Sequence, residues 1–160
     1  MSTRIGTVIA VCLLIFLNVQ ASPGIEQAQS KESNARIGEL LDMIEMAEPA
    51  STAQFQLGNE LVEAVYQAKF RGIDDRTLEK MTTMIENGGG PLRAIIARAL
   101  GEIGPPAYRS LPALQKAAEA DEEVLKQYYG IAVGPEGPYE MEMEAIRRIK
   151  GDPEHQNPSN

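Results

Sequence analysis

The chain has 160 residues, with 15 Lys and Arg against 23 Asp and Glu, one histidine, one cysteine and no tryptophan. That length suffices for one domain, and a net charge of −8 excludes general binding to nucleic acid or anionic membrane, which needs a basic surface. A single cysteine cannot form an internal disulfide, so packing of Leu, Ile, Val, Met and Ala must supply the stability.

Residues 1 to 21 read as a signal peptide. Arg4 gives a positive start, Ile5 to Leu17 is an apolar run, and Val19-Gln20-Ala21 offers a cleavage site. The run is short of the about 20 apolar residues a spanning helix needs. Retention as an uncleaved anchor is the alternative. Cys12 follows Val11 rather than a small residue, unlike a lipoprotein cysteine. Arg4 is the one charged side chain in this segment, so cleavage takes the net charge to −9. The expected location is therefore outside the cytoplasm, periplasmic or secreted, with no membrane contact after cleavage.

Residues 22 to 33 (SPGIEQAQSKES) are polar and without period, and read as a disordered leader. Helical period dominates afterwards. A first helix over 34–47 places Ile37, Leu40, Leu41 and Ile44 on one stripe, with Asn34 or Ser33 as its cap and Pro49 as its end. A second over 52–70 opens on Ser51, buries Leu57, Leu61, Val62, Val65 and Tyr66, and closes at Gly72. A third over 75–87 is capped by Asp74, faces Leu78, Met81 and Ile85 inward, and ends on Gly88-Gly89-Gly90.

The fourth helix runs from Pro91 to Ile103, with Leu92, Ile95, Ile96, Ala99, Leu100 and Ile103 on one face. Pro91 suits the first helical position. Gly104 permits a left-handed stop, and Pro105-Pro106 forbids continuation. Ala94, Ala97, Ala99 and Gly101 keep this helix thin, so neighbours can approach it on more than one side. A fifth helix over 107–120 uses Leu111, Leu114, Ala117 and Ala118, with Pro112 in its first turn or bending it. A sixth after Asp121 uses Val124, Tyr128 and Ile131. GPEGP at 134–138 is a loop, a last helix over 139–150 carries Met141, Ala145, Ile146 and Ile149, and 151–160 is a disordered tail.

The helices are self-similar. A shift of 34 lays Leu61, Val62, Val65 and Tyr66 on Ile95, Ile96, Ala99 and Leu100. A shift of 33 lays Leu78, Met81 and Ile85 on Leu111, Leu114 and Ala118. A shift of 32 lays Leu92, Ile96 and Ala99 on Val124, Tyr128 and Ile131. Two consecutive helices thus form a unit of thirty-odd residues, and such hairpins must stack to bury their apolar faces.

RAIIARALGEIGPPAYRSLPALQKAAEAD, residues 93 to 121, resembles HEAT repeats of the short bacterial type found in PBS-lyase proteins. The likeness lies in Arg93 opening a second helix, the ALGEIG helix end at Ala99 to Gly104, and LPAL at Leu111 to Leu114 followed by an acidic turn at Asp121. It is good over about 30 residues and weak before them. Leu125 stands where the family usually has arginine. The resemblance implies an all-α fold, a short α-solenoid of about three HEAT-like hairpins plus a terminal helix over 34–150, used for protein–protein interaction. It also implies that Arg93 ties one repeat to the next through acidic groups. A minority of the family attach or remove bilin chromophores, a role that export and the lack of cysteine in the mature chain oppose.

Chemistry-bearing motifs are sparse. His155, in the polar tail, reads as a spacer residue. No Ser–His–Asp order, metal motif or calcium loop occurs. GGGP at 88–91 lacks the Lys-Ser/Thr of a P-loop and reads as a helix stop and turn. EADEE (119–123) and EGPYEMEME (136–144) read as solvated carboxylates and helix N-terminal charge. Met43, Met46, Met81, Met84, Met141 and Met143 read as core and gap fillers rather than soft-metal ligands. We therefore expect no catalytic, cofactor or metal residues. Tyr108, Tyr128, Tyr129 and Tyr139 are possible interface anchors, with Tyr128 better read as core.

Glu63, Gln67, Arg98, Glu102, Arg147 and Arg148 lie off the apolar stripes of second or terminal helices, which line the inner face of a solenoid. They are the expected binding surface for a protein or peptide, or for self-association. The expected function is a non-catalytic scaffold or adaptor. The alternatives are an enzyme subunit of lyase type and a small-molecule or metal carrier.

Overall fold

The computed structural model describes residues 23–68, 72–128 and 137–152. Residues 1–21, expected to be a signal peptide, Cys12 among them, Tyr129, Gly130, Ile131, residues 134–136 of the expected loop, most of the tail and His155 lie outside the described residues, as does the side chain of Tyr128. Among the described residues there is no strand. The elements are α1 (Pro23–Met46), α2 (Thr52–Ala68), α3 (Asp75–Asn87), α4 (Gly90–Ile103), a 3-10 turn (Pro105–Ser110), α5 (Leu111–Tyr128) and α6 (Pro138–Lys150). None is long and apolar enough to cross a membrane.

Local chemistry sets the helix ends. Ser51 Oγ accepts from Gln54 N at 3.1 Å, and Asp74 Oδ1 accepts from Thr77 N at 2.7 Å, so two predicted N-caps are in place. Gly88 ends α3, Gly89 precedes α4 and Pro91 lies in its first turn. Gly104 stops α4 at φ 72°, a conformation that favours glycine.

Consecutive helices pair as α1–α2, α3–α4 and α5–α6. The second helices neighbour one another, α2 on α4 and α4 on α6. The first helices do likewise, α1 on α3 and α3 on α5. The buried stripes of all six form one core, which includes Ile37, Leu41, Leu61, Met81, Ile96, Leu100, Leu114 and Ile146. Each such side chain contributes about 1.5–3 kcal/mol of burial. Helix α4 is the hub. A Cβ on Gly58 of α2 would stand 2.9 Å from Ile95, and one on Gly101 would stand 3.1 Å from Ala145 Cα. The thinness of α4 is what lets α6 come this close.

Several expectations change. Helix α1 starts at Pro23 rather than 34, so residues 23–33 are helical. Asn34 is not a cap. It is buried within α1, where its Nδ2 donates to Gly72 O at 3.1 Å and its Oδ1 accepts from Asp74 N at 3.0 Å. It thus pins α1 to the backbone leading into α3. Asn34→Ala should cost about 1–3 kcal/mol by leaving these groups unpaired, as read from urea unfolding. Tyr66 is 47% exposed and Val124 48% exposed, although both were expected to face inward. The fifth and sixth predicted helices are one, α5, because Asp121 sits inside a turn that nothing interrupts. Its hairpin partner is the last described helix, so the described helices make three pairs with none left over. The 32-residue shift therefore has no structural counterpart. The match to α4 is α6: Gly90-Pro91 and Gly137-Pro138 open them, and Gly104 and Gly151, both at positive φ, close them.

Candidate functional site

Two constellations on the α4–α6 contact could carry function. The first is a groove of about 310 Å³. Its floor is the close approach of Gly101 to Ala145, and its walls are Val62 of α2, Arg98 and Glu102 of α4, and Met141, Glu144 and Arg148 of α6. Three predicted surface residues, Arg98, Glu102 and Arg148, thus meet in one place. Arg98 is exposed, and its Nη1 donates to Asn59 Oδ1 at 3.0 Å. Arg148 spans the groove, donating to Glu102 Oε2 at 3.1 Å and to Glu144 Oε1 at 2.8 Å. Burial pushes the Glu144 carboxyl up, but hydrogen bonds from Arg148 and Arg147 outweigh it and hold it below the usual range.

The other predicted residues fall elsewhere. Arg147 is exposed and pairs with Glu144 at 2.8 Å without lining the groove. Gln67 donates to Glu63 Oε1 at 2.8 Å one turn away on α2. Gln67 also borders a separate polar depression between α1 and α2, with Glu32 and Arg36. Tyr139 lines a third depression, between α5 and α6, and Tyr108 is exposed on the 3-10 turn.

The second constellation is a buried charge cluster beneath the start of α6. Arg93 Nη1 donates to Gly88 O at 3.1 Å, and Nη2 donates to Asp121 Oδ1 of α5. Its Nε lies 3.3 Å from Glu142 Oε1 of α6. Arg93 therefore links three helices through acidic groups. Glu142 is fully buried, and neither of its carboxylate oxygens has a hydrogen-bond partner. Burial pushes the Glu142 carboxyl up, and the Asp121 charge adds to this. Arg93 offsets only part of it, leaving the group at about 7 against an ordinary 4.5.

Comparison with family models, with curated proteins and with solved structures finds no match. The site must therefore be read from its own chemistry.

Glu142 is the residue that the sequence reading missed. The acidic run around it suggested a solvated face. Yet Glu142 lies in register with Ala145, Ile146 and Ile149, three, four and seven positions on, which places it on the apolar stripe. A carboxylate at such a position was the available signal. Among the methionines, Met81 and Met84 are buried, while Met43, Met141 and Met143 pack against the core. Met46 is exposed instead. No group of three or more His, Cys, Asp or Glu suited to a metal occurs among the described residues.

Proposed function

We propose that this protein is an exported, non-catalytic adaptor, a short HEAT-like α-solenoid of three hairpins that holds a protein or peptide across α2, α4 and α6. The observation that carries the reading is the groove over Gly101 and Ala145, where two arginines and two glutamates surround an apolar strip. Val62 and Met141 offer apolar contact there, and the exposed guanidinium of Arg98 offers a charge that, among the described residues, donates to a neutral amide, Asn59. The order of helices, with second helices adjacent in one layer and first helices in another, supports the solenoid reading. So does the resemblance of residues 93–121 to HEAT repeats. The export reading rests on residues 1–21, and the mass of the protein recovered from outside the cytoplasm tests it.

The function is tested by affinity capture and mass spectrometry with three forms of the chain: wild type, Arg98→Glu and Arg147→Glu. Circular dichroism first establishes that the variants fold. A partner retained by wild type and Arg147→Glu, but held about tenfold or more weaker by Arg98→Glu, is the expected result. Equal retention by all three removes the groove from the reading. Recovery of a small molecule or metal in place of a protein replaces the adaptor with a carrier or enzyme subunit.

A further inference from the structure

The buried cluster is out of balance in charge. One guanidinium, Arg93, faces two carboxylates, Asp121 and Glu142, in a site where their side chains are 17%, 14% and 0% exposed. Arg93 gives Asp121 a direct hydrogen bond through Nη2 and gives Gly88 O another through Nη1. Toward Glu142 it turns only Nε, which makes no aligned hydrogen bond. Asp121 Oδ2 and both oxygens of Glu142 have no hydrogen-bond partner, and neither does Glu140 Oε2 at the start of α6. A dry site tolerates one ion pair far better than an ion pair with a second anion beside it. A carboxyl at Glu142 restores neutrality when it carries its proton.

We propose that Arg93, Asp121 and Glu142 form a proton-operated latch that seats α6 on α4 and α5. With Glu142 protonated, one cation faces one anion and α6 is held. With Glu142 ionised, two anions share one cation in a largely buried site, and α6 loosens first, because it carries the uncompensated group. The charged groups facing Glu142 are Arg93 from α4 and Asp121 from α5, with Glu140 nearby on α6 itself. The 3-10 turn also packs on α6. However, its Tyr108 and Arg109 are exposed, and Gly104 beside it lies against Arg148 O, toward the opposite end of α6. The raised value of about 7 for Glu142 puts the transition near neutrality. Because α6 supplies Met141, Glu144 and Arg148 to the groove, the same proton would set whether that groove is whole. The latch itself does not depend on what the groove binds.

Hydrogen exchange of the full chain, read by mass spectrometry at pH 6 and pH 8.5 and corrected for intrinsic rates, tests this. In wild type the protection of α6 should fall by about tenfold or more at pH 8.5, while the amides of α1 to α3 that exchange by local opening keep theirs. Glu142→Gln should abolish this pH response, and Asp121→Asn should reduce it while the burial of Glu142 remains. Glu142→Gln has no proton to release, and Asp121→Asn leaves one carboxylate to one guanidinium. Asp121→Asn also serves should Glu142→Gln fail to fold. An equal response in the locally opening amides of α1 to α3 overturns the latch, since the effect then does not pass through the seat of α6. Unchanged protection of α6, or a full response in Asp121→Asn, overturns it as well.

Discussion

Arg93→Met should destabilise the fold by about 3–5 kcal/mol, the cost of leaving buried carboxylates without their cation. For a domain of this size the melting temperature should fall by about 10–20 °C. The physical reason is local. Arg93 is the one cation in contact with Asp121 and the fully buried Glu142 among the described residues. The methionine stem can replace its packing, but neither its charge nor its bond to Gly88 O. The loss should depend on pH with a definite sign. Glu142 titrates near 7 in the folded chain against an ordinary 4.5. Between those values the folded state holds a proton that the unfolded state has released. This group's effect on stability is therefore smallest below 4.5 and grows more unfavourable as pH rises through 7, to about 3 kcal/mol in total. Glu144 acts oppositely: its lowered value adds stability above the ordinary carboxylate range that is lost in acid. Urea unfolding of wild type between pH 5.5 and 8.5 therefore isolates Glu142. Arg93→Met should steepen the decline, since nothing then offsets the second anion. Adding Glu142→Gln should restore more stability at pH 8.5 than at pH 5.5. A loss below about 1 kcal/mol for Arg93→Met would mean that water or relaxation, rather than this guanidinium, neutralises the cluster.

The helices were legible in the sequence where an apolar stripe of period 3.6 ran between strong punctuation. Ser51, Asp74, Gly88 and Gly104 mark their helix ends as expected, because each acts through its own backbone conformation or a bond within one turn. The failures share a cause. Residues 23–33 have no apolar period, and their helix is an extension of α1 rather than a stripe of its own. Asn34 looks like a cap in sequence, but its partners lie at Gly72 and Asp74, about forty residues away. Asp121 looks like a boundary because acidic residues favour helix starts. In the fold it is held in mid-helix by Arg93, and α5 runs through it. Of the expected surface, Arg98, Glu102 and Arg148 converge because they sit near the Gly101–Ala145 contact. Glu63 and Gln67 pair with each other on α2 and Arg147 pairs with Glu144, and all three point off the stripe without lining the groove. Facing outward was readable residue by residue, whereas convergence depended on which helix neighbours which. The sequence shift had paired α4 with the wrong stretch.

Gly101→Leu should be the second most damaging change, at about 3 kcal/mol, because it is the backbone of α6 that must move. A Cβ there stands 3.1 Å from Ala145 Cα and 3.4 Å from its Cβ, and the rest of a leucine would have no room. The comparison with Gly58 separates backbone from side-chain crowding. Its Cβ would meet Ile95 at 2.9 Å, and although the obstacle is a side chain, its β-branch holds one helical rotamer, so relief needs a small shift of Ile95 and Gly58→Ala also costs stability. Gly38, in α1, supplies the opposite control. A Cβ there meets nothing within 4 Å, so Gly38→Ala should stabilise by about 0.5–1 kcal/mol through helix propensity alone. If Gly101→Leu cost no more than Gly58→Ala, α4 and α6 would not be in register at this point. The same substitution bears on function, since Gly101 and Ala145 form the floor of the groove. Pushing α6 away would separate Arg148 from Glu102 and Met141 from Val62, so a partner held there should be lost even where the fold survives. Gly101→Ala refines the test. Its gain in helix propensity, about 1 kcal/mol, opposes a contact tighter than most, so its stability should stay near wild type while the groove becomes shallower. Weakened binding without lost stability in that variant would tie partner affinity to the closeness of the two helices rather than to the charges around them.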